Sequence, residues 1–212
     1  MHRVQGLLAG VQLKPAVAVG VDVVVRDATL RGDLDHVDFA IETILFDQAL
    51  LFFPDCYRGL DLLTLDFPVD PITPADPPSE LLEAFKKKPL EVYKGKTDYL
   101  LIYESQKDIE GCDPDMTLLK KSKARGIIVS APGKKVHFVS RFFAPGSGVD
   151  EDPVTGSAHT TLTPYWSEKL GKNRMKARQL SKRGGKLICE LKGDRVLISG
   201  RAVTYLKGEI EV

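Results

Sequence analysis

One short stretch concentrates groups that could bind an anion and move a proton: Asp150-Glu151-Asp152-Pro153-Val154-Thr155-Gly156-Ser157-Ala158-His159. Three consecutive carboxylates offer acid/base groups or hydrogen-bond acceptors. After them, Ala158, Leu162, Tyr165, Trp166 and Leu170 recur at helical spacing, which predicts a helix over 158–170. A helix start leaves its first N–H groups without intrahelical acceptors and carries the positive end of the macrodipole. The amides of Gly156, Ser157 and Ala158 are therefore expected at the mouth of the loop, where they would stabilise an anion such as a substrate carboxylate. Asp152 stands just before them as an acid/base group or acceptor, and Ser157 adds a hydroxyl. Pro153 and Gly156 set the turn and let a ligand approach the backbone. The plainer reading is an ordinary helix capped by the aspartate or the threonine.

Other chemistry-bearing residues point less far. The acidic triplet lacks the regular oxygen spacing of a calcium loop, so no metal is expected. His159 lies one turn into the helix and reads first as a packing or capping residue, and His137 sits mid-strand. Gly133-Lys134-Lys135 lacks phosphate-loop spacing and reads as a hairpin turn. Lys172 to Lys186 is basic without interleaved aromatics, which reads as a solvated face rather than a nucleic-acid groove. Trp166 reads as a core or dimer anchor. Cys56, Cys112 and Cys189 are far apart and form no CxxC, which argues against zinc-knuckle and thioredoxin-like chemistry.

The elements that must position the loop follow from local pattern. Ser79 opens a helix whose first turn is acidic and whose end is basic at Lys86 to Lys88. Asp98 to Glu104 predicts a strand with a buried centre. Asp113-Pro114-Asp115 predicts an N-cap with proline at the first helical position, for a helix reaching Lys121. Gly126–Ser130 and Val136–Phe143 read as strands, the second feeding the acidic loop. Pro164 removes a helical bond to the Thr160 carbonyl and predicts a kink. Lys186 to Lys192 and Arg195 to Val203 form a hairpin about Gly193-Asp194, and a last strand covers Thr204 to Val212. The class is α+β.

Charge divides the chain. Residues 1–78 carry 5 Lys+Arg against 12 Asp+Glu, and residues 79–212 carry 25 against 17. Between them Pro68, Pro71, Pro74, Pro77 and Pro78 mark a linker-like stretch. The expected organisation is a reduced N-terminal domain over 1–68, a second domain over 69–200, and a final strand over 201–212 returning to the first. Residues 1–40, with a valine-rich run at 17–25, read as edge strands or as a divergent or truncated start. The whole chain, 43% hydrophobic and 28% charged with net charge +1, is neither disordered in composition nor basic enough for nucleic acid. No apolar run approaches the roughly 18 residues of a membrane helix. The sparse, odd cysteine count and an N-terminus without a leader pattern read as cytoplasmic.

The string Asp150 to His159 resembles the signature of the PhzF-like (phenazine biosynthesis PhzF) family. Similar to it as well are Arg141-Phe142-Phe143-Ala144-Pro145, Pro164-Tyr165-Trp166, Gly185 to Leu191, Val196 to Gly200, and Leu62-Leu63-Thr64-Leu65-Asp66-Phe67-Pro68. The resemblance covers roughly residues 60–212. It implies a diaminopimelate-epimerase-like fold, in which two similar domains each wrap a sheet around a central helix and share a cleft. It also implies a cofactor-independent isomerase or epimerase that moves a proton between carbons of a small acid, working as a homodimer. Carried over by position, Asp152 and Ser157 would be catalytic, and Thr155, Gly156 and Ser157 would bind substrate.

The resemblance has departures. The family's early glutamate, in an Asn-Leu-Ser-Glu-Thr-like context, and its Gly-His pair have no placed counterpart here. Ile41-Glu42-Thr43 is superficially similar to the first, and His36 lacks a preceding glycine. The alternative is thus a catalytically inactive remnant that binds a ligand or a protein. The cysteine pair of related racemases is also missing, since Thr155 stands before Gly156-Ser157 where the second thiol would be.

Overall fold

A computed structural model describes residues 62–201 in full and, beyond them, the backbone of strands at 19–25, 57–58 and 203–210. Expectations for His36, Ile41-Glu42-Thr43 and Cys56 lie outside the described residues. In chain order the elements are β1 (Val19–Val25), β2 (Tyr57–Arg58), β3 (Leu63–Pro68), β4 (Thr73–Pro74), α1 (Ser79–Glu83), β5 (Glu91–Lys94), β6 (Asp98–Ile102), α2 (Gln106–Glu110) and α3 (Met116–Lys121). There follow β7 (Gly126–Pro132), β8 (Phe138–Ala144), a 3-10 turn at Pro145–Ser147, β9 (Val149–Glu151), α4 (Gly156–Leu170), β10 (Arg174–Gln179), β11 (Gly185–Lys192), β12 (Arg195–Gly200) and β13 (Val203–Ile210).

The chain divides into two units, Met1–Phe52 with Ala202–Val212, and Phe53–Arg201. In the first, β1 runs antiparallel to β13, from Val19 opposite Ile210 to Val25 opposite Val203. The second holds an eleven-stranded mixed sheet in the order β2-β3-β12-β11-β10-β8-β7-β6-β5-β4, with β9 paired to β8. The β6–β7 and β8–β10 pairs are parallel and the other pairs antiparallel.

Alternation along the strands sorts side chains into two layers. Leu100 and Ile102 of β6, Ile128 of β7, and Phe138 and Phe142 of β8 face one side and meet Ala158, Leu162, Tyr165 and Trp166 of α4. Tyr99 and Leu101, Ile127 and Val129, and Val139 and Phe143 face the other and meet Leu81, Ile109 and Leu119 of the three short helices. The fold is α+β, with the sheet wrapped about α4. Burial runs almost all round that helix, from Ala158 to Thr163 and again from Tyr165 to Ser167. Its buried hydroxyls stay satisfied: Thr160 Oγ1 donates to the Ser157 carbonyl, Thr163 Oγ1 to that of His159, and Ser167 Oγ to Asn173 Oδ1. Among the described residues no helix is long and apolar enough to cross a membrane.

The helix continues through Pro164, and the Thr160 carbonyl that proline leaves free accepts from the Asp70 backbone N–H at 3.3 Å. Asp70 Oδ2 also accepts from Thr161 Oγ1, so the proline-rich stretch is tied to the central helix. The cap of α1 is Pro78, not Ser79. The cap of α3 is Asp115, not Asp113: its N–H is held by the Ala84 carbonyl, and its carboxylate accepts from the Thr117 and Leu118 amides at 2.8 and 3.1 Å. Finally, the basic run contains strand β10. Arg174, Lys176 and Arg178 do face solvent, but Met175, Ala177 and Gln179 between them are buried.

One glycine fixes how the acidic loop lies on the sheet. A Cβ built at Gly185 would overlap the Val154 side chain, which is 4% exposed. Gly185→Ala is therefore expected to cost about 1–3 kcal/mol, the usual penalty for overpacking, seen as a lower urea midpoint with an unchanged slope.

Candidate functional site

The acidic loop is the exit of β8. The chain passes the 3-10 turn, doubles back as β9, and enters α4 at Thr155. The β9 strand repeats the β8 edge, with Glu151 opposite Phe143, and the Asp152 N–H then donates to the Phe142 carbonyl at 3.0 Å. This pairing separates the three carboxylates by role. Glu151 is taken by Arg141, whose Nε and Nη2 donate to its two oxygens at 2.6 and 3.0 Å. The same guanidinium donates to the carbonyls of Ile109 and Cys112. Asp150 is exposed. Among the described residues no group of three or more His, Cys, Asp or Glu could hold a metal ion.

Asp152 is half-buried and turned toward the helix start, where its Oδ2 accepts from Thr155 Oγ1. Thr155 has the extended backbone of an N-cap, φ −109° and ψ 108°. Its hydroxyl serves Asp152 rather than the helix, so the expected side-chain cap is not made. The first-turn amides of α4, at Gly156, Ser157 and Ala158, are the helix's own orphan donors. Among the described residues a Cβ at Gly156 would meet nothing within 4 Å, and Ser157 is exposed. The structure thus places Asp152, Thr155, Gly156 and Ser157 around one helix N-terminus. Such an arrangement can hold an anion against amides with a carboxylate close by.

His159 lies one turn further and is fully buried. Its Nδ1 is 2.7 Å from the Thr155 carbonyl, an acceptor only, so Nδ1 carries the proton. Its ring stands 6.1 Å from that of Phe138, and Nε2 has no partner. Burial pushes its pKa down to about 4, against a smaller upward pull from the Thr155 carbonyl. The imidazole is neutral at pH 7 and acts as a packing group. Cys189 is a core residue whose thiol burial pushes up to about 12, and burial raises the Cys112 thiol to about 11. Neither suits thiolate chemistry.

Two residues outside the local motif hold the loop. Gln179, at the end of β10 and 0% exposed, bonds the Thr155 N–H, the Asp152 carbonyl and Thr155 Oγ1. Ser181 Oγ donates to the Pro153 carbonyl at 2.7 Å and accepts from the Gly184 N–H. The signal for Gln179 was the period-two alternation inside the basic run. An open pocket of ≈ 440 Å³ lies beside the loop, lined by Glu151, Pro153, Ser181, Lys182 and Arg183. It is formed by the neighbours of Asp152 and not by Asp152, Gly156 or Ser157.

Comparison with known proteins bears on this geometry. The profile of the family described as phenazine biosynthesis-like protein (PhzC-PhzF) matches residues 74–208. An uncharacterized isomerase of Pseudomonas aeruginosa is 45% identical over 155 residues, covering 73% of this chain and 60% of its own length. An uncharacterized isomerase of Halalkalibacterium halodurans is 41% identical over 186 residues, covering 86% and 69%. The crystal structure of a PhzF-family phenazine biosynthesis protein from Enterococcus faecalis superposes with a TM-score of 0.69 at 37% identity, covering 74% of this chain and 60% of that one. The chain spans about three fifths of the length of the first of these relatives.

Proposed function

The chain belongs to the phenazine biosynthesis-like (PhzC-PhzF) family, and from that premise we propose that it carries the acid/base half-site of a cofactor-independent isomerase or epimerase acting on a small carboxylate. The observation that carries this reading is the placement of the Asp152 carboxylate, through Thr155, at the helix start that holds the first-turn amides of Gly156 and Ser157. In this reading those amides grip the substrate carboxylate, helped by the positive helix terminus. Asp152 accepts or relays the proton at the neighbouring carbon, and Thr155 fixes its orientation. Ser157 adds a hydrogen bond to the bound carboxylate. Lys182 and Arg183 beside the loop favour the approach of an anion.

The test is proton exchange. The chain is incubated in D₂O with a panel of small 2-amino, 2-hydroxy and unsaturated carboxylates, and replacement of C–H by deuterium is followed by proton NMR. The expected result is enzyme-dependent exchange into at least one acid. Ser157→Ala should then raise KM about tenfold or more with kcat little changed, the loss of one hydrogen bond to a charged acceptor. Absence of exchange across the panel overturns the isomerase reading.

A further inference from the structure

We propose that Gln179 is a positioning residue that sets the direction of the Thr155 hydroxyl, so that its proton is always presented to Asp152. This rests on the reading of Asp152 as the acid/base group, although the geometry itself does not. The amide of Gln179 has two donors and one acceptor oxygen. The Thr155 backbone N–H can only donate, so the group it meets at 2.8 Å must be Oε1. The Asp152 carbonyl can only accept, so the group it meets at 2.7 Å must be Nε2. The two backbone contacts therefore fix the amide orientation without reference to anything else. The second Nε2 proton is left to point at Thr155 Oγ1, at 3.2 Å.

That contact settles the hydroxyl. Thr155 Oγ1 receives a proton from Gln179, so its own hydrogen must turn elsewhere, and Asp152 Oδ2 is there to accept it. The relay runs one way: Gln179 Nε2–H to Thr155 Oγ1, Thr155 Oγ1–H to Asp152 Oδ2. A hydrogen bond donated to a carboxylate favours its ionised form. Without Gln179 the hydroxyl could rotate, and Asp152 would lose a fixed donor. Gln179 and Thr155 are both buried, so bulk water does not compete for the bonds between them.

Among the described residues, other charged or titratable groups lie on each element beside Asp152. On β9 and β8 they are the exposed Asp150, and Glu151 and Arg141, which pair with each other. On α4 it is His159, neutral and bonded to the Thr155 carbonyl. On the β10–β11 turn they are Lys182 and Arg183, which line the adjacent pocket. None of them bonds Gln179; its replacement also removes the two backbone bonds to the Thr155 N–H and the Asp152 carbonyl, and Thr155→Val, which keeps both, isolates the hydroxyl.

The experiment reads the Asp152 carboxyl directly, by carbon-13 NMR titration of the full chain without substrate, in wild type, Gln179→Met, Thr155→Val and the double variant. Gln179→Met and Thr155→Val are each expected to raise the Asp152 midpoint by about half a unit to one unit. The double variant should move no further than the larger single change, because both act through one hydroxyl. A wild-type midpoint in Gln179→Met, or additive shifts in the double variant, overturns the proposal. In the wild-type chain the Gln179 side-chain amide protons should exchange far more slowly than a free amide, and exchange at the free rate also overturns it. Because no substrate is involved, these outcomes are separate from those of the D₂O test.

Discussion

Replacing Asp152 by asparagine is expected to lower proton exchange by about 10²-fold or more, the typical contribution of one positioned acid/base group. Asparagine has the same size and keeps an oxygen that can accept from Thr155 Oγ1, so the loop should hold its shape. The contacts that anchor the loop are made largely through its backbone: the Asp152 N–H to Phe142, the Asp152 carbonyl to Gln179, and the Pro153 carbonyl to Ser181. None of these depends on the carboxylate. What asparagine lacks is a basic group able to take a proton at neutral pH. The loss should therefore appear in kcat, with KM changed little if the amides of Gly156 and Ser157 carry the substrate carboxylate. The melting temperature should stay within a few degrees of wild type. A variant that exchanges at the wild-type rate would remove Asp152 from the chemistry.

The motif around Asp152 was legible because its geometry is local. Asp152, Thr155, Gly156 and Ser157 lie within six consecutive residues, and a strand, a turn and a helix start are enough to bring them together. What holds them was harder to read. Gln179 is 24 residues away, and Ser181 is 28 from its partner Pro153. Both arrive through the parallel pairing of β10 with β8, a long-range event that no local window contains. The alternation of β10 was present, but its three exposed positions are Arg174, Lys176 and Arg178, whose charge dominates the composition of the run. Burial of α4 was legible only in part. The apolar stripe marked one face, while Thr160, Thr161, Thr163 and Ser167 are also buried and use hydroxyl bonds to be so. A polar residue that satisfies itself locally leaves no hydrophobic signal. Pro164 illustrates the same point: its cost to the helix was visible, but the acceptor it freed is used by Asp70, from 90 residues earlier in the chain.

His159 should make the fold acid-labile, with about 3 kcal/mol of stability lost as the pH falls from about 6.5 to about 4. The sign follows from proton counts. In the folded chain burial holds the imidazole pKa near 4, whereas the unfolded chain has its ordinary value of 6.5. Between these values the unfolded state binds the extra proton and the folded state does not, so unfolding becomes more favourable as the pH drops. Above pH 6.5 both states are neutral and no penalty exists. The folded ring has no means of accepting the charge: Nδ1 already gives its proton to the Thr155 carbonyl, Nε2 is buried without a partner, and Phe138 lies against the ring. Carboxylates titrate in the same interval, so the absolute slope mixes several groups. The informative quantity is the difference between wild type and His159→Leu, measured by urea unfolding at about pH 7.5 and about pH 4.5. The leucine variant gives up the bond to Thr155 and starts from a lower stability at the higher pH. Its further loss on acidification should nevertheless be smaller than that of wild type by about 2–3 kcal/mol. Parallel losses in the two proteins would mean that the histidine accepts its proton within the fold, and that the helix start beneath Asp152 is looser than its burial indicates.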